Sequence, residues 1–184
     1  MTSLLLIKEC INNNRQAQQT LYNQYASNML GLCYRYTKSL HDAEDVLQEG
    51  FIKVFSNLSQ FKNEGDLAAW IRKIMVNTAI TYLNKHKRYK VEMQLDDISL
   101  HPIVGKETDI DINVKDLVEM VRKLPANYQT IFNLVAVEGY SQIEIAEILN
   151  ININTVRSQY SRGRSMLIKL IENENLREKN SYAK

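Results

Sequence analysis

The chain has 184 residues, of which 45% are hydrophobic and 24% are charged, and these proportions are typical of a globular protein rather than a disordered or fibrous one. No stretch approaches the roughly 20 apolar residues that a membrane span needs, so we expect a cytoplasmic protein without membrane insertion. Because sheet-rich chains contain many turn breakers, the presence of only two prolines and six glycines predicts an all-α fold.

Charge divides the chain into three parts. Residues 1–90 carry 12 Lys/Arg and 7 Asp/Glu, residues 91–113 carry 1 and 6, and residues 114–184 carry 10 and 8. The acidic middle part contains Pro102 and Gly105 and shows little helical periodicity, which predicts a flexible acidic linker between two small helical domains. A surface loop within one domain is the alternative, but structureless loops of more than twenty residues are uncommon in compact domains.

Residues 1–90 are predicted to form the first domain, a bundle of three or four helices. The clearest helix spans residues 42–58, where apolar and small side chains recur three and four residues apart, as on the buried face of an amphipathic helix. Its outward face begins with acidic residues, which the positive end of the helix dipole favours. Further helices are predicted over residues 17–37 and 66–88, the second of which follows a polar loop at 59–65.

Residues 114–184 are predicted to form the second domain, which contains a helix-turn-helix. Pro125 ends its first helix, because proline disfavours helix in the preceding residue. A Ser141-x-x-Glu144 capping box opens the third helix, and Asn150 stands where a left-handed residue would end it. The predicted helices span residues 114–123, 127–138, 141–149 and 153–172.

The last predicted helix carries the side chains of a DNA-binding surface. No acidic residue occurs between Asn150 and Ile171, whereas a solvated helix face normally mixes charges of both signs. Arginine can contact guanine through two hydrogen bonds, and hydroxyl and amide groups reach phosphates and base edges. A helical hairpin that never touches DNA is the alternative. The candidate contacts are Thr155, Arg157, Ser158, Gln159, Arg162 and Arg164.

A second candidate nucleic-acid surface lies at the end of the predicted 66–88 helix. Residues 85–90 contain four Lys/Arg, and aromatic residues such as Phe61 and Trp70 lie nearby in sequence. Aromatic rings combined with a positive groove are typical of proteins that bind single strands. Two plainer interpretations remain open. Cations at a helix C-terminus are favoured by the dipole and are often only solvated, and Trp70 can belong to the core.

Catalytic and metal-binding constellations are missing from the sequence. The acidic cluster Glu44, Asp45 and Glu49 lacks the Glu-x-x-His partners of di-metal helical bundles, and Cys10 and Cys33 have neither zinc nor disulfide-framework spacing. A glycine-rich phosphate loop and a nucleophile elbow are absent as well. We therefore predict a protein that is not an enzyme and that needs neither a metal nor a cofactor.

Taken in order, the motifs resemble those of an extracytoplasmic-function sigma factor of the sigma-70 family, and the resemblance covers nearly the whole chain. The first half contributes Asp42-Ala43-Glu44-Asp45-Val46-Leu47-Gln48-Glu49-Gly50-Phe51, Trp70-Ile71-Arg72-Lys73-Ile74 and Asn77-Thr78-Ala79-Ile80. The second half contributes Leu124-Pro125, Tyr128, Tyr140-Ser141, Glu144-Ile145-Ala146 and Thr155-Val156-Arg157-Ser158 with Arg162 and Arg164. Three positions, Thr81, Asn84 and Gly163, depart from the residues that the family often has there.

The resemblance implies a subunit that binds core RNA polymerase, directs it to promoters and helps to melt the DNA. The first domain, sigma region 2, would dock on the polymerase clamp through Asp45, Gln48, Glu49 and Ile52. It would capture a base flipped from the minus-ten element with Phe61, Lys62, Asn63 and Glu64. It would hold the strands with Arg72, Lys73, Asn77, Lys85, Lys87 and Arg88. The second domain, sigma region 4, would read the minus-thirty-five element with Thr155, Arg157, Ser158, Ser161, Arg162 and Arg164.

The same resemblance implies a regulator and a role for the linker. The usual regulator of such factors is a sequestering anti-sigma protein, and the acidic linker would thread polymerase channels as a mimic of nucleic acid.

A different function remains as the alternative. The second domain alone would equally suit an operator-binding regulator of the helix-turn-helix kind, which acts without polymerase and is usually dimeric. Residues 42–88 distinguish the two hypotheses, because a simple repressor has no need of them.

Overall fold

The computed structural model describes residues 3–62, 65–91 and 114–181. Regular secondary structure within these ranges is entirely helical, and the chain divides into two compact units, residues 1–94 and 95–184. The predicted all-α architecture with two domains is therefore confirmed. Residues 92–113, which make up nearly all of the predicted linker, lie outside the described residues, and the linker remains a prediction.

The described residues of the first unit, 3–62 and 65–91, form four α-helices. Asn14 and Ser39 begin the second and third of these, because the side chain of each accepts backbone hydrogen bonds from the following turn. These caps place each helix start two residues before the position predicted from apolar spacing. The helices are α1 (Ser3–Ile11), α2 (Arg15–Tyr36), α3 (Leu40–Asn57), which is followed by a 3-10 turn (Leu58–Gln60), and α4 (Leu67–Val91).

The core of the first unit forms where α2, α3 and α4 pack together. The predicted apolar face of α3 is buried, including Val46, Phe51 and Val54. Gly50 lies at a close approach to α4, since a Cβ placed there would overlap Met75 Sδ and lie 2.9 Å from Met75 Cε. The absence of a side chain at Gly50 thus leaves room for the end of the buried Met75 side chain.

Residues 114–181 of the second unit also form four α-helices, and one of them continues into a turn with a different hydrogen-bonding pattern. The predicted continuous helix over 127–138 becomes π-helical at Asn133–Val137, where the Glu138 N–H donates to the Asn133 carbonyl five residues earlier at 2.9 Å. Asn133 is fully buried, so the wider turn lies in the core. The helices are α5 (Val114–Arg122), α6 (Ala126–Phe132), α7 (Gln142–Leu149) and α8 (Ile153–Ser181).

The turns that frame α7 agree with the sequence prediction. The Ser141 hydroxyl accepts the Glu144 N–H at 3.3 Å, and the Glu144 carboxylate accepts the Ser141 N–H at 2.8 Å, which completes the capping box. Asn150 has a φ of 51° in the left-handed region and ends α7. Only three residues separate α7 from α8, and the two helices pack together as a helix-turn-helix.

Candidate polymerase-binding and nucleic-acid-binding surfaces

The outer face of α3 combines acidic, polar and apolar side chains. Asp45, Gln48, Glu49 and Ile52 follow one another at helical spacing and therefore lie on one side of the helix. The first two and Ile52 are exposed, Glu49 is half-buried, and Ile52 keeps 66% of its surface in solvent. We call these four residues the α3 stripe. The structure thus brings together all four residues that the sequence predicted for polymerase binding.

Glu49 is connected to α4 through Lys53. Lys53 Nζ lies 2.7 Å from Glu49 Oε1 and donates a hydrogen bond to Thr78 Oγ1 at 3.2 Å. Thr78 is buried on α4, and its hydroxyl donates in turn to the Ile74 carbonyl at 2.8 Å. The hydrogen bond from Lys53, with the positive charges of Lys53 and Lys85, holds the pKa of Glu49 below its usual value. The α3 stripe is therefore linked to α4 through the ion pair of Glu49 with Lys53.

A second polar contact joins the same two helices near the beginning of α3. The Tyr82 hydroxyl donates to Asp42 Oδ1 at 2.6 Å. Burial, this hydrogen bond and the negative charges of Asp42 and Asp45 together raise the pKa of Tyr82 above its usual value. The Asp42 and Lys53 contacts lie on either side of Gly50 in sequence, so polar bridges flank the point where α3 approaches α4.

The loop that the sequence assigned to base capture is described in part. The Phe61 ring lies against Trp70, with ring centroids 5.6 Å apart and planes inclined at 51°. Both residues are half-buried, and Lys62 is exposed. Trp70 thus belongs to the edge of the core rather than to an isolated platform. Asn63 and Glu64 lie outside the described residues, and their roles remain predictions.

The cations and amide predicted on α4 differ in their surroundings. Lys73, Asn77 and Lys85 are exposed, whereas Arg72 is half-buried. Lys87 and Arg88 lie on α4, but their side chains are not among those described.

Arg72 lines an open groove of about 740 Å³ between α2 and the start of α4. Burial and the negative charge of Asp66 raise the pKa of Tyr25 in this groove. Two guanidinium groups, amides and an aromatic ring are the groups that hold phosphates and unstacked bases. The polar lining residues are Gln24, Tyr25, Asn28, Arg35, Asp66 and Arg72.

The face of α8 that carries the predicted DNA contacts is solvent-accessible. Thr155 is half-buried, and the other five predicted residues are exposed: Arg157, Ser158, Ser161, Arg162 and Arg164. Val156 and Leu167 point into the core, and Tyr160 stacks on Phe132 with centroids 6.1 Å apart. Arg157 Nε donates a hydrogen bond to Gln142 Oε1 of α7 at 3.3 Å.

Gly163 has a packing reason to lack a side chain. It is buried where α8 crosses α6, and a Cβ built there would lie 3.2 Å from Tyr128 Cβ. Glycine inside a helix costs about 1 kcal/mol relative to alanine, and here it allows Tyr128 to pack directly on the α8 backbone. The departure from the family's usual alanine therefore lies on the core side of α8 rather than on its DNA-facing side.

The described ranges contain neither a metal-binding cluster nor a membrane-spanning helix. Among the described residues, no group of three or more His, Cys, Asp and Glu side chains could hold a metal ion, and no described helix is long and apolar enough to cross a membrane. Cys10 and Cys33 are buried free thiols, and burial raises the pKa of Cys33 to about 12.

Comparison with known proteins gives the family of the chain. The family model of sigma-70 region 2 matches residues 21–89, and that of sigma-70 region 4 matches residues 115–167. The RNA polymerase sigma factor SigV of Bacillus subtilis (strain 168) is 30% identical over 166 residues, which is 90% of this chain and 91% of that protein. The chain belongs to the sigma-70 family of sigma factors.

A second relative is named as a member of the extracytoplasmic-function (ECF) group of sigma factors, and a solved structure shares the fold. The ECF RNA polymerase sigma factor SigW of the same organism is 28% identical over 174 residues, covering 89% of this chain and 93% of that protein. The solved structure of the sigma factor RpoE in complex with the anti-sigma factor NepR from Bartonella quintana has a TM-score of 0.53 at 20% identity. It covers 84% of this chain and 96% of that one, and it shows a common fold.

The sigma region 2 match contains α3, nearly all of α4 and most of α2, and the region 4 match reaches from α5 into α8. Some residues of these surfaces were missed by sequence reasoning. Tyr25 and Arg35 line the groove from α2, Lys53 connects the α3 stripe to α4, and Gln142 contacts Arg157. A pattern of single residues gives no signal for such contacts, because each joins side chains on different helices.

Proposed function

We propose that the chain binds core RNA polymerase, directs it to specific promoters and helps to open the DNA there. The observation that supports this most directly is that the first unit carries two candidate binding surfaces, one on α3 and one on α4. Three of the four residues of the α3 stripe are exposed, and the cationic side chains of Lys73 and Lys85 are exposed on α4, the helix packed against α3. One compact unit can therefore hold polymerase and DNA together, as initiation requires.

The α3 stripe is the proposed polymerase contact. Ile52 supplies an exposed apolar anchor, and Asp45 and Glu49 supply negative charge for a basic partner surface. Complementary charge of this kind guides association, while a desolvated apolar anchor contributes much of the binding energy. The membership of the chain in the sigma-70 family makes the clamp of the polymerase the proposed partner.

The groove side of the first unit is the proposed site of minus-ten recognition. Unstacking a base costs a few kcal/mol, and a pocket that binds the extruded base offsets this cost. The loop residues Phe61, Lys62, Asn63 and Glu64 are proposed to capture the base. The side chains of Arg72, Lys73, Asn77, Lys85, Lys87 and Arg88 are proposed to hold the strands.

The exposed face of α8 is the proposed reader of the minus-thirty-five element. A helix of this kind enters the major groove with its early turns against the base edges. The proposed contacts are Thr155, Arg157, Ser158, Ser161, Arg162 and Arg164. Comparison with known proteins gives no support to the alternative of an operator-binding regulator, which would use this second unit alone.

The same proposal places the protein in the cytoplasm, where RNA polymerase works, and assigns it a regulatory rather than an enzymatic role. We also propose that an anti-sigma protein sequesters it. A solved sigma factor of similar fold is itself bound to an anti-sigma factor, which motivates this expectation.

Substitution within the α3 stripe tests the polymerase contact. Ile52→Asp places a charge at an exposed anchor without touching the core, so we expect the affinity for purified core polymerase to fall at least about tenfold. Leu4→Asp on α1 is the matched control, because Leu4 is 55% exposed and lies outside the stripe. Affinity for core polymerase is measured by fluorescence titration, and circular dichroism verifies the fold. Equal affinity of the two variants and the unaltered protein would contradict the assignment.

A further inference from the structure

The side chain of Gln142 contacts the proposed DNA-reading surface from the neighbouring helix. Gln142 is the first residue of α7, and Arg157 lies in the second turn of α8. Gln142 is half-buried and Arg157 is exposed, and Gln142 Oε1 accepts a hydrogen bond from Arg157 Nε at 3.3 Å. The contact thus spans the helix-turn-helix and ends on a guanidinium that faces solvent.

We infer that Gln142 is a positioning residue that holds Arg157 in the orientation in which it reads one base of the minus-thirty-five element. This inference rests on the proposed function and adds a determinant of promoter specificity to it. Gln142 acts through Arg157 rather than by touching DNA itself.

The chemistry of the guanidinium supports this role. An arginine side chain has five N–H donors, one on Nε and four on the two Nη atoms. The contact with Gln142 uses Nε and leaves both Nη atoms free, and these can form a parallel pair of hydrogen bonds with guanine O6 and N7. A guanidinium already held at Nε loses less rotational freedom when it binds. The hydrogen bond therefore favours the orientation in which the two Nη atoms of Arg157 face the edge of the base.

A neutral amide suits this position better than a charged group. A carboxylate would accept the same Nε hydrogen bond more strongly, but it would bring a negative charge close to the phosphates of the bound DNA. Glutamine provides the acceptor oxygen without that repulsion. The local backbone is also fixed independently of Gln142, because the capping box is made by Ser141 and Glu144.

A promoter-variant experiment with the reconstituted holoenzyme tests the inference. The unaltered chain with core polymerase first identifies a promoter by run-off transcription, and failure at this step would contradict the proposed function rather than the role of Gln142. Each base of the upstream element is then varied, and open-complex formation is measured for the unaltered chain, Gln142→Ala, Arg157→Ala and the double variant. Gln19→Ala on α2 is the matched control, since Gln19 is exposed on the other unit.

We expect both single variants to lose preference at the same base position. For Arg157→Ala the loss of discrimination should be about five- to hundredfold, and for Gln142→Ala it should be smaller but at least about twofold. The double variant should match Arg157→Ala, because Gln142 has no route to the base without Arg157. Gln142→Glu should keep the base preference while weakening all promoters alike.

Three results would overturn the inference. A uniform loss of affinity in Gln142→Ala, with a shallower dependence on salt, would make Gln142 a phosphate contact instead. Additive effects in the double variant would mean that Gln142 and Arg157 act independently. Unchanged preference in Gln142→Ala, with the melting temperature also unchanged, would show that the hydrogen bond has no effect on recognition.

Discussion

The hydroxyl of Tyr82 shows how a single polar contact can hold two helices together. It donates to Asp42 across the α3 and α4 pair, and a hydrogen bond of this kind contributes about 1 kcal/mol to stability. Tyr82→Phe keeps the ring and removes the donor, so we expect a free energy of unfolding lower by about 1 kcal/mol at neutral pH. Urea denaturation measures it, and Tyr22→Phe, whose ring packs on Phe51, is the matched control.

The same hydroxyl makes stability depend on pH in a defined direction. Because the pKa of Tyr82 is raised in the folded state, the folded protein keeps this proton at a pH where the unfolded chain has lost it. The stabilisation is complete below about pH 10, the usual pKa of tyrosine, and declines as the pH rises further. The difference in stability between the unaltered protein and Tyr82→Phe should therefore shrink above pH 10, and a constant difference would contradict this origin.

The exposure of individual residues could be predicted from the sequence, whereas their contacts with other helices could not. The exposure of Ile52 and Arg162 was predictable, because the buried positions of an amphipathic helix identify the positions that face outward. The contacts of Lys53 with Thr78 and of Gln142 with Arg157 join residues 25 and 15 positions apart. Helical periodicity relates residues within one helix, so it carries no information about such pairs.

The packing of α3 against α4 limits the size of the side chain at position 50. Gly50 lies on α3 against the fully buried Met75 of α4, and overfilling a packed core costs about 1–3 kcal/mol. Alanine is a better helix former than glycine by about 1 kcal/mol, which offsets only part of that cost. We expect Gly50→Ala to lower the free energy of unfolding by about 1 kcal/mol, as measured by chemical denaturation.

Gly31→Ala is the matched control for this prediction. Gly31 lies in the interior of α2, it is exposed, and a Cβ placed there would meet no atom within 4 Å outside its own helix and its neighbours in the chain. The substitution should raise stability by about 1 kcal/mol through helix propensity alone. If both substitutions raise the free energy of unfolding equally, the close packing of Gly50 on Met75 does not contribute to stability, and the prediction is wrong.

The helices themselves were largely predictable, and the exceptions have physical causes. Apolar spacing identified α3 and the capping box identified the start of α7, because both signals are local. The π-helical segment over Asn133–Val137 was not predicted. Asn133 and Leu134 within it are fully buried, and the spacing of apolar residues does not distinguish a π-helical turn from an α-helical one. The predicted end of α8 at residue 172 was also too early, since no glycine or proline follows to stop the helix.

On the scale of the whole molecule, the distribution of charge was the most informative sequence feature. It separated two positive parts from an acidic middle, and the boundary between the two compact units, at residues 94 and 95, falls within that acidic segment. The predicted polymerase and minus-ten residues lie on the first unit, and the predicted minus-thirty-five residues lie on the second. The promoter sequence itself does not follow from these surfaces, because it depends on the geometry of each side chain against each base.

The central claim is that this one chain gives core RNA polymerase a promoter specificity that the core enzyme lacks. Run-off transcription from a genomic promoter library tests it most directly, using purified core polymerase from the same organism with and without the chain, followed by sequencing of the start sites. We expect transcripts that appear only when the chain is added and that share two upstream motifs at a fixed spacing. The absence of such transcripts, together with a footprint of the chain alone on duplex DNA, would contradict the claim in favour of an operator-binding regulator.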